Sequence, residues 1–112
     1  MSFDANSLTE TMTEAASAKI KCWSDIRIIA ESELRRFAQT IEDVKHLYTS
    51  GVIEEEEAFD IAWNHRNAAR AVLRSTQSVG VVTARQTAPQ LMRVAVEAAR
   101  AVVNPALGFP LL

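Results

Sequence analysis

The stretch Thr49-Ser50-Gly51-Val52-Ile53-Glu54 holds the strongest signals for ending and restarting a helix in the first two thirds of the chain. Gly51 is the first glycine, and helices often end with a left-handed C′ residue, where glycine has no steric penalty. Glu54 takes the N-cap position of the next helix, and the acidic run 54–57 faces the positive end of its dipole. A short connection between long helices makes them antiparallel neighbours. The stretch therefore predicts a helical hairpin that turns at Gly51.

The composition indicates one globular domain without an export signal. The chain has 112 residues and a formal net charge of -2, which disfavours general electrostatic binding of nucleic acid. A single cysteine, Cys22, excludes an intramolecular disulfide and fits a reducing compartment. The N-terminus lacks the pattern of a signal peptide, and no uncharged apolar run reaches about 18 residues. These features predict a cytoplasmic protein.

The first helix is predicted over residues 8–50, after an N-terminal tail at 1–6. Ser7 and Glu10 have the spacing of a capping box, and neither Gly nor Pro occurs between Leu8 and Ser50. Apolar residues recur at steps of three and four, which is typical of a seam facing one partner helix. They are Trp23, Ile26, Ala30, Leu34, Phe37, Ile41, Val44 and Tyr48.

The length of this helix bears on the oligomeric state. Roughly 42 residues at 1.5 Å each make a rod of about 63 Å. A compact domain of this size has a radius of gyration of only about 13 Å. The rod is too long for a monomeric globule unless the helix breaks between Met12 and Ile20.

The second helix is predicted over residues 54–86, with a break between Ser78 and Pro89 and with Thr87 as the next N-cap. Small residues dominate its seam, so each layer buries little apolar area. Its seam residues are Ala58, Ile61, Ala62, His65, Ala68, Ala69, Val72, Thr76 and Val79.

The third helix, over residues 88–103, is mostly apolar. Its strongly polar side chains fall on one narrow stripe, whereas a surface helix normally shows the reverse. This stripe comprises Gln86, Gln90, Arg93, Glu97, Arg100 and Asn104. Such a helix needs neighbours on about three sides, more than one hairpin supplies. The sequence thus predicts a single all-α domain over 1–112, ending in an apolar tail at 104–112 and completing a helical bundle by oligomerisation.

One constellation could bind metal. Asp43 and His46 have the i, i+3 spacing of two ligands on one helix, and Glu57 and Asp60 lie near the same level in a symmetric hairpin. Two such hairpins could form a ferritin-like di-metal site. At 100° per residue, however, Asp43 and His46 point away from the seam, which favours a solvated charged face.

No catalytic or cofactor-binding residue is indicated, and the chain is predicted not to be an enzyme. Glycine-rich phosphate loops, a nucleophile elbow and zinc-type spacings are absent. His65 lies within the seam of the second helix, and we expect a neutral imidazole that hydrogen-bonds to Gln39 or Thr40, with a buried pH switch or ligand as the alternative. Cys22 shows no sign of an activated thiol.

Phe59 and Trp63 lie off that seam, close to Arg66 and Arg70 in helical spacing. Large aromatics beside arginine are typical of interface hot spots, although a neighbouring helix could equally cover them. Arg66, Arg70 and Arg74 form a short basic stripe, but Trp63 is the only aromatic on it, so no nucleic-acid binding is expected.

The leading hypothesis is a non-enzymatic assembly or adaptor subunit that acts through homo-oligomerisation or through binding of a partner helix, without a cofactor. One alternative is the ferritin-like metal-binding protein, and another is a peripheral membrane protein that uses the last helix and the tail. No motif assigns the chain to a family. The predicted interface residues are Phe59, Trp63, Leu91, Val94, Ala98, Val102 and Phe109.

Overall fold

Four α-helices make up most of the chain that the structure describes. The structure is a computed structural model and describes residues 3–21, 23–75 and 81–112, with the backbone alone at 75 and 81–86. The helices are α1 (Ala5–Lys19), α2 (Trp23–Thr49), α3 (Glu55–Ser75) and α4 (Val81–Leu107). No strand occurs within the described ranges, so the all-α prediction is confirmed.

The helices form a closed bundle in which each one packs on two others. α1 packs on α2, α2 on α3, α3 on α4 and α4 back on α1, while α2 and α4 touch only narrowly across the middle. Neighbouring helices run antiparallel: the Ala5 N–H donates to the Glu42 carboxylate at 2.9 Å, and Thr40 Oγ1 lies 3.4 Å from His65 Nδ1. The bundle measures 44 × 23 × 18 Å.

The predicted continuous helix over 8–50 is wrong, because the chain turns between α1 and α2. Ile20 caps α1 in an extended conformation, with φ -96° and ψ 115°, and its carbonyl accepts from the Trp23 N–H at 3.2 Å. α1 ends at Lys19, within the interval Met12–Ile20 where a break would remove the overlong rod, and Cys22 lies outside the described residues. No 63 Å rod forms.

Burial of one apolar stripe explains this turn, which has neither Gly nor Pro. Leu8, Met12, Ala16 and Ile20 recur at steps of four along α1, and all of them are buried. Fully burying a Leu, Met or Ile side chain contributes about 1.5–3 kcal/mol. A backbone hydrogen bond given up at the turn costs about 1 kcal/mol. Folding α1 back onto α2 and α4 therefore outweighs continuing the helix into solvent.

The start of α1 also differs from the prediction. The N-cap is Asp4 rather than Ser7: Asp4 Oδ1 accepts from the Ser7 N–H at 2.7 Å, and Ser7 Oγ accepts from the Asp4 N–H at 3.2 Å. Phe3 is buried, and Lys45 Nζ lies 4.6 Å from the centre of its ring. The predicted tail at 1–6 thus enters the fold by Phe3, because its aromatic ring has a place at the end of the bundle.

Gly51 ends α2 as the sequence predicts. Its φ is 81°, in the left-handed region. The Gly51 N–H donates to the Tyr48 carbonyl at 3.1 Å, and the Val52 N–H donates to the Leu47 carbonyl at 2.9 Å. This pair of bonds is the Schellman motif with Gly51 at C′.

α3 then begins after Glu54, as predicted. The Glu54 carbonyl accepts from the Ala58 N–H at 2.9 Å, and the Glu57 carboxylate accepts from the Glu54 N–H at 3.3 Å. A glutamate three residues into the helix thus compensates for the poor capping residue Glu54.

The second half of the chain departs from the predicted boundaries. α3 ends at Ser75 rather than at residue 86, and α4 covers 81–107 rather than 88–103. Thr87 is therefore not an N-cap, and Pro89 lies inside α4. The predicted break between Ser78 and Pro89 is partly outside the described residues. A proline inside a helix costs about 3 kcal/mol, which the buried Ala88, Leu91 and Met92 around it offset.

The apolar surface of α4 is covered by helices of the same chain. Its buried residues face α1, α3 and the bundle axis, so the need for neighbours on three sides is met without a second subunit. They are Ala88, Leu91, Met92, Val94, Ala95, Val96, Ala99 and Val103.

The C-terminal tail docks on α4. Gly108 has φ 82°, and its N–H donates to the Asn104 carbonyl at 2.9 Å. Leu111 is buried, and the Leu112 N–H donates to Asn104 Oδ1 at 3.0 Å. The predicted tail at 104–112 thus includes the last turns of α4, and its apolar residues are partly covered.

Replacing Gly51 by valine should lower the free energy of unfolding by about 1–2 kcal/mol, because a β-branched residue is strained at positive φ. No atom lies within 4 Å of an added Cβ, so the effect comes from the backbone rather than from a clash. Urea denaturation measures it. Gly51→Asn is the matched control and should destabilise less, since asparagine tolerates this region; equal stability of all three proteins would contradict the assignment.

Asp4 should make the stability of the bundle depend on pH in the acid range. The pKa of the Asp4 carboxyl is lowered from 3.8, first by its bond to the Ser7 N–H and then by the Ser7 side chain. Its contribution is therefore present above pH 3.8 and is lost as pH falls through the lower folded pKa. Asp4→Asn keeps an acceptor without titrating. Denaturation curves at about pH 5 and about pH 2 should show the difference between wild type and Asp4→Asn moving in favour of the variant.

Candidate functional site

An exposed flank of α3, next to the end of α4, carries the largest exposed aromatic side chains. α3 packs inward through Ala58, Ala62, Ala69 and Leu73, which are buried. Phe59 and Trp63 lie on the outer side and are 45% and 49% exposed. The small inner residues bring α3 close to its neighbours and leave no interior space for the two rings.

The two aromatic rings form an ordered stack. Their centroids are 6.2 Å apart, and the ring planes differ by only 10°. The Arg66 guanidinium carbon lies 5.3 Å from the centre of the Trp63 ring, within the range of a cation–π interaction. The one-turn spacings Phe59 to Trp63 and Trp63 to Arg66 produce this arrangement on a single helix. The orientation of the two rings is thus fixed by contacts within α3 itself.

A shallow pocket of about 190 Å³ lies beside the stack, between α3 and the end of α4. Arg100 reaches it from α4, and its Nε donates to the Leu112 carbonyl at 3.0 Å. No acidic side chain lines the pocket. Its lining residues are Phe59, Ala62, Trp63, Arg66, Arg100, Leu111 and Leu112.

The arginines of this surface are close enough to influence one another. The pKa of the Arg66 guanidinium is lowered, first by desolvation and then by the charges of Arg100 and Arg70. Arginine stays protonated in proteins, so the shift reports a cation held near two others. We call Phe59, Trp63, Arg66, Arg70 and Arg100 the aromatic–arginine face.

The predicted interface residues divide into two groups. Phe59, Trp63 and Val102 are exposed, so they are available to a partner. Leu91 and Val94 are buried in the core of the chain itself and cannot contact another subunit, which corrects that part of the prediction.

The other two predicted interface residues also pack within the chain. Ala98 is partly covered by the bundle. The Phe109 ring packs on Tyr48, with centroids 4.8 Å apart. The prediction places these residues outside because a continuous first helix over 8–50 leaves no separate α1 to cover α4.

The predicted metal ligands are not brought together. Asp43, His46, Glu57 and Asp60 are all exposed. The Asp43 carboxylate accepts from Gln39 Nε2 at 3.1 Å, while the Glu57 carboxylate serves the N-terminus of α3. No group of three or more His, Cys, Asp or Glu within the described ranges could hold a metal ion. Within one chain these four side chains lie on the surface rather than in the bundle interior.

His65 contacts Thr40 as expected, but it is exposed rather than buried in the seam. Beside it, a small cavity is lined in part by Glu33 and Arg36. Glu33 is buried and lies 3.9 Å from Arg36 Nη1. The sequence signal for this carboxylate is its spacing: Glu33 lies three residues after Ala30 and four before Phe37, on the buried side of α2.

Neither the hydropathy of the helices nor a comparison with known proteins identifies the function. No helix in the described ranges has the length and hydropathy to cross a membrane. Comparison with models of protein families, with curated proteins and with solved structures finds no match. The aromatic–arginine face is therefore the feature that bears on function.

The stack should contribute little to folding if it serves a partner. We expect Trp63→Ala to lower the free energy of unfolding by at most about 1 kcal/mol, because the ring is half exposed. Phe37→Ala, the matched truncation of a buried ring, should cost about 3–5 kcal/mol. Chemical denaturation of both variants measures this. Similar losses in the two proteins would make the stack a structural element.

Proposed function

We propose that the chain is a non-enzymatic assembly subunit that binds a protein partner through the aromatic–arginine face. The observation that carries the proposal is the exposed stack of Phe59 on Trp63, with Arg66 over the indole. Tryptophan and arginine are enriched among the residues that dominate binding energy at interfaces. The two rings are about half exposed, so each has apolar area that a partner could bury.

The geometry of the face favours a protein partner over a small molecule. The stack and the Arg66 contact fix the rotamers in advance, so less conformational entropy is lost on binding. Arg100 is held in the same way by its bond to Leu112. The pocket is shallow and open, which suits a side chain from a partner better than an enclosed small molecule.

The alternatives to protein binding, namely catalysis, a metal centre and membrane association, have little support. Arginine is the only titratable type among the residues lining the pocket, and it neither abstracts protons nor acts as a nucleophile. A ferritin-like centre would need several carboxylates inside the bundle, whereas Glu33 is the only buried acid in the described ranges. The membrane alternative requires the apolar surface of α4 and the tail, much of which packs inside the chain.

Nucleic acid is a poor partner for the same helix. The acidic run 54–57 lies at the start of α3, about two turns before Trp63, and the whole chain has net charge -2. Phosphate backbones need an extended positive surface. The proposal thus keeps a protein partner and the cytoplasmic location predicted from the sequence.

The proposal predicts protein contact at position 63. The photo-crosslinking residue p-benzoylphenylalanine at position 63 keeps an aromatic ring there. Irradiation of cells that express this protein should give a discrete adduct of one protein, identified by mass spectrometry. Adding Phe59→Ala should greatly reduce its yield, because the stack orients the ring.

The matched control places the same residue at position 32, since Ser32 is also exposed but lies on α2. No discrete adduct should form there. Equal adducts at both positions, or none at position 63, would refute the proposed face.

A further inference from the structure

We infer that the protein partner presents a carboxylate side chain next to an apolar one, and that this pair binds in the pocket between α3, the end of α4 and the tail. The inference rests on the proposed function and names the chemistry of its partner. The observation behind it is a surplus of positive charge around a pocket whose other walls are apolar. We call this pocket the arginine pocket.

Three arginine cations gather at the arginine pocket. Arg66 from α3 and Arg100 from α4 line it, and Arg70 lies one turn beyond Arg66. Arg66 is partly buried, and the charges of Arg100 and Arg70 both act on its guanidinium. Like charges brought together at a partly desolvated surface repel one another. An anion bound between them would remove this repulsion.

The described residues supply no carboxylate that balances these cations. Across the described ranges, Arg66, Arg70 and Arg100 form no ion pair. At 100° per residue, Asp60 and Arg66 lie about 60° to opposite sides of Trp63. Because Arg66 lies on the flank that borders α4, Asp60 lies on the far flank and does not line the pocket.

The groups nearest to Arg100 do not neutralise the pocket either. Glu97 lies one turn before Arg100 on α4, but it is exposed and does not line the pocket. The Leu112 backbone oxygen accepts from Arg100 Nε at 3.0 Å, and even a full negative charge there would balance one cation of three. A guanidinium has several N–H donors, so Arg100 keeps donors for a further acceptor.

The apolar walls of the pocket set a second requirement. They include the half-exposed rings of Phe59 and Trp63 and the side chains of Leu111 and Leu112. The pocket has a volume of about 190 Å³. An apolar cavity of about 150 Å³ holds a benzene molecule, so the pocket can take one side chain of the size of leucine or phenylalanine. An apolar side chain next to the carboxylate would cover these walls.

This combination favours a carboxylate on a protein over other anions. Guanidinium groups bind carboxylates and phosphates alike. Free phosphate would leave the apolar walls in water. A nucleic acid or an anionic membrane would meet the acidic run 54–57 at the start of the same helix. An aspartate or glutamate beside a leucine-like residue matches both the charge and the walls.

A defined probe tests this chemistry on the purified full chain. N-acetyl-Asp-Leu-amide carries one carboxylate and one apolar side chain, and N-acetyl-Asn-Leu-amide is its neutral match. In ¹⁵N NMR titrations, the acidic probe should shift the Trp63 indole N–H and Arg66 Nε–H signals with a dissociation constant of about 1–10 mM. The neutral probe should bind about fivefold more weakly, or worse. The Trp23 indole, at the start of α2, should not shift.

Arginine variants locate the bound carboxylate. Arg66→Gln and Arg100→Gln should each weaken binding of the acidic probe about threefold or more, because each removes charge-assisted donors. Arg66→Lys keeps the charge and should bind the probe better than Arg66→Gln. Arg27→Gln is the matched control, because Arg27 is exposed on α2, and it should leave binding unchanged. Circular dichroism checks that every variant keeps its helical content.

Several results would overturn the inference. Equal binding of the acidic and neutral probes would do so, as would a loss in Arg27→Gln as large as that in Arg100→Gln. Inorganic phosphate that shifts the same signals as strongly as the acidic probe would show that the site takes any anion. Co-sedimentation of the chain with vesicles that contain phosphatidylglycerol would replace the protein carboxylate by a lipid headgroup.

The inference and the proposed function fail in different ways. With p-benzoylphenylalanine at position 63, Arg100→Glu should greatly reduce the adduct, and Arg27→Glu should not. An adduct that persists in Arg100→Glu, together with equal binding of the two probes, would overturn the acidic partner and leave the binding face standing. Absence of any adduct at position 63 would overturn both. An adduct that depends on Arg100, together with preference for the acidic probe, would support both.

Discussion

The closed bundle depends on the burial of one stripe on α1. Leu8, Met12, Ala16 and Ile20 fill the space between α2 and α4, and the inner faces of those helices would otherwise open to water. The burial of this stripe also affects the role of α3. α1, α2 and α4 supply the large side chains of the core, and α3 contributes mainly alanines to it. The large side chains of α3 have no interior place and remain on its outer face.

This division of α3 links packing to function. Bringing Phe59 or Trp63 into the core would require displacing well-packed side chains, and overpacking of that kind costs about 1–3 kcal/mol. Leaving both rings outside exposes apolar area that serves no purpose in a monomer. The chain reduces that exposure by stacking the rings and laying Arg66 over the indole. In the proposed function, the same contacts order the surface before a partner binds.

Much of the fold could be predicted from local sequence, but its long-range closure could not. Gly51 and the glutamates after it have one favourable role each, so the turn and the start of α3 follow from the sequence. The turn after Ile20 has no glycine or proline and exists because of burial against distant helices. Without that turn, no helix covers α4. The sequence therefore predicts that Leu91 and Val94 lie at an interface.

The candidate site shows the same limit. Phe59, Trp63 and Arg66 are recognisable because helical spacing within α3 sets their positions. Arg100 comes from α4 and is placed by a bond to the docked tail, so no local pattern could join it to them. Its position on the polar stripe of α4 indicated only exposure, since spacing within one helix says nothing about which neighbour that stripe approaches.

Self-sufficiency of the core constrains how this chain can associate. The sequence predicts obligate oligomerisation for two reasons, an overlong rod and an uncovered α4. The turn after Ile20 removes both reasons. The core of the described residues is covered within one chain, so in the proposed association a partner would add to stability by mass action, and only above the dissociation constant. The charges that guide it lie at the surface, where salt screens them over about 8–10 Å. For the proposed association through the aromatic–arginine face we therefore expect sensitivity to ionic strength, while the bundle beneath the face stays folded.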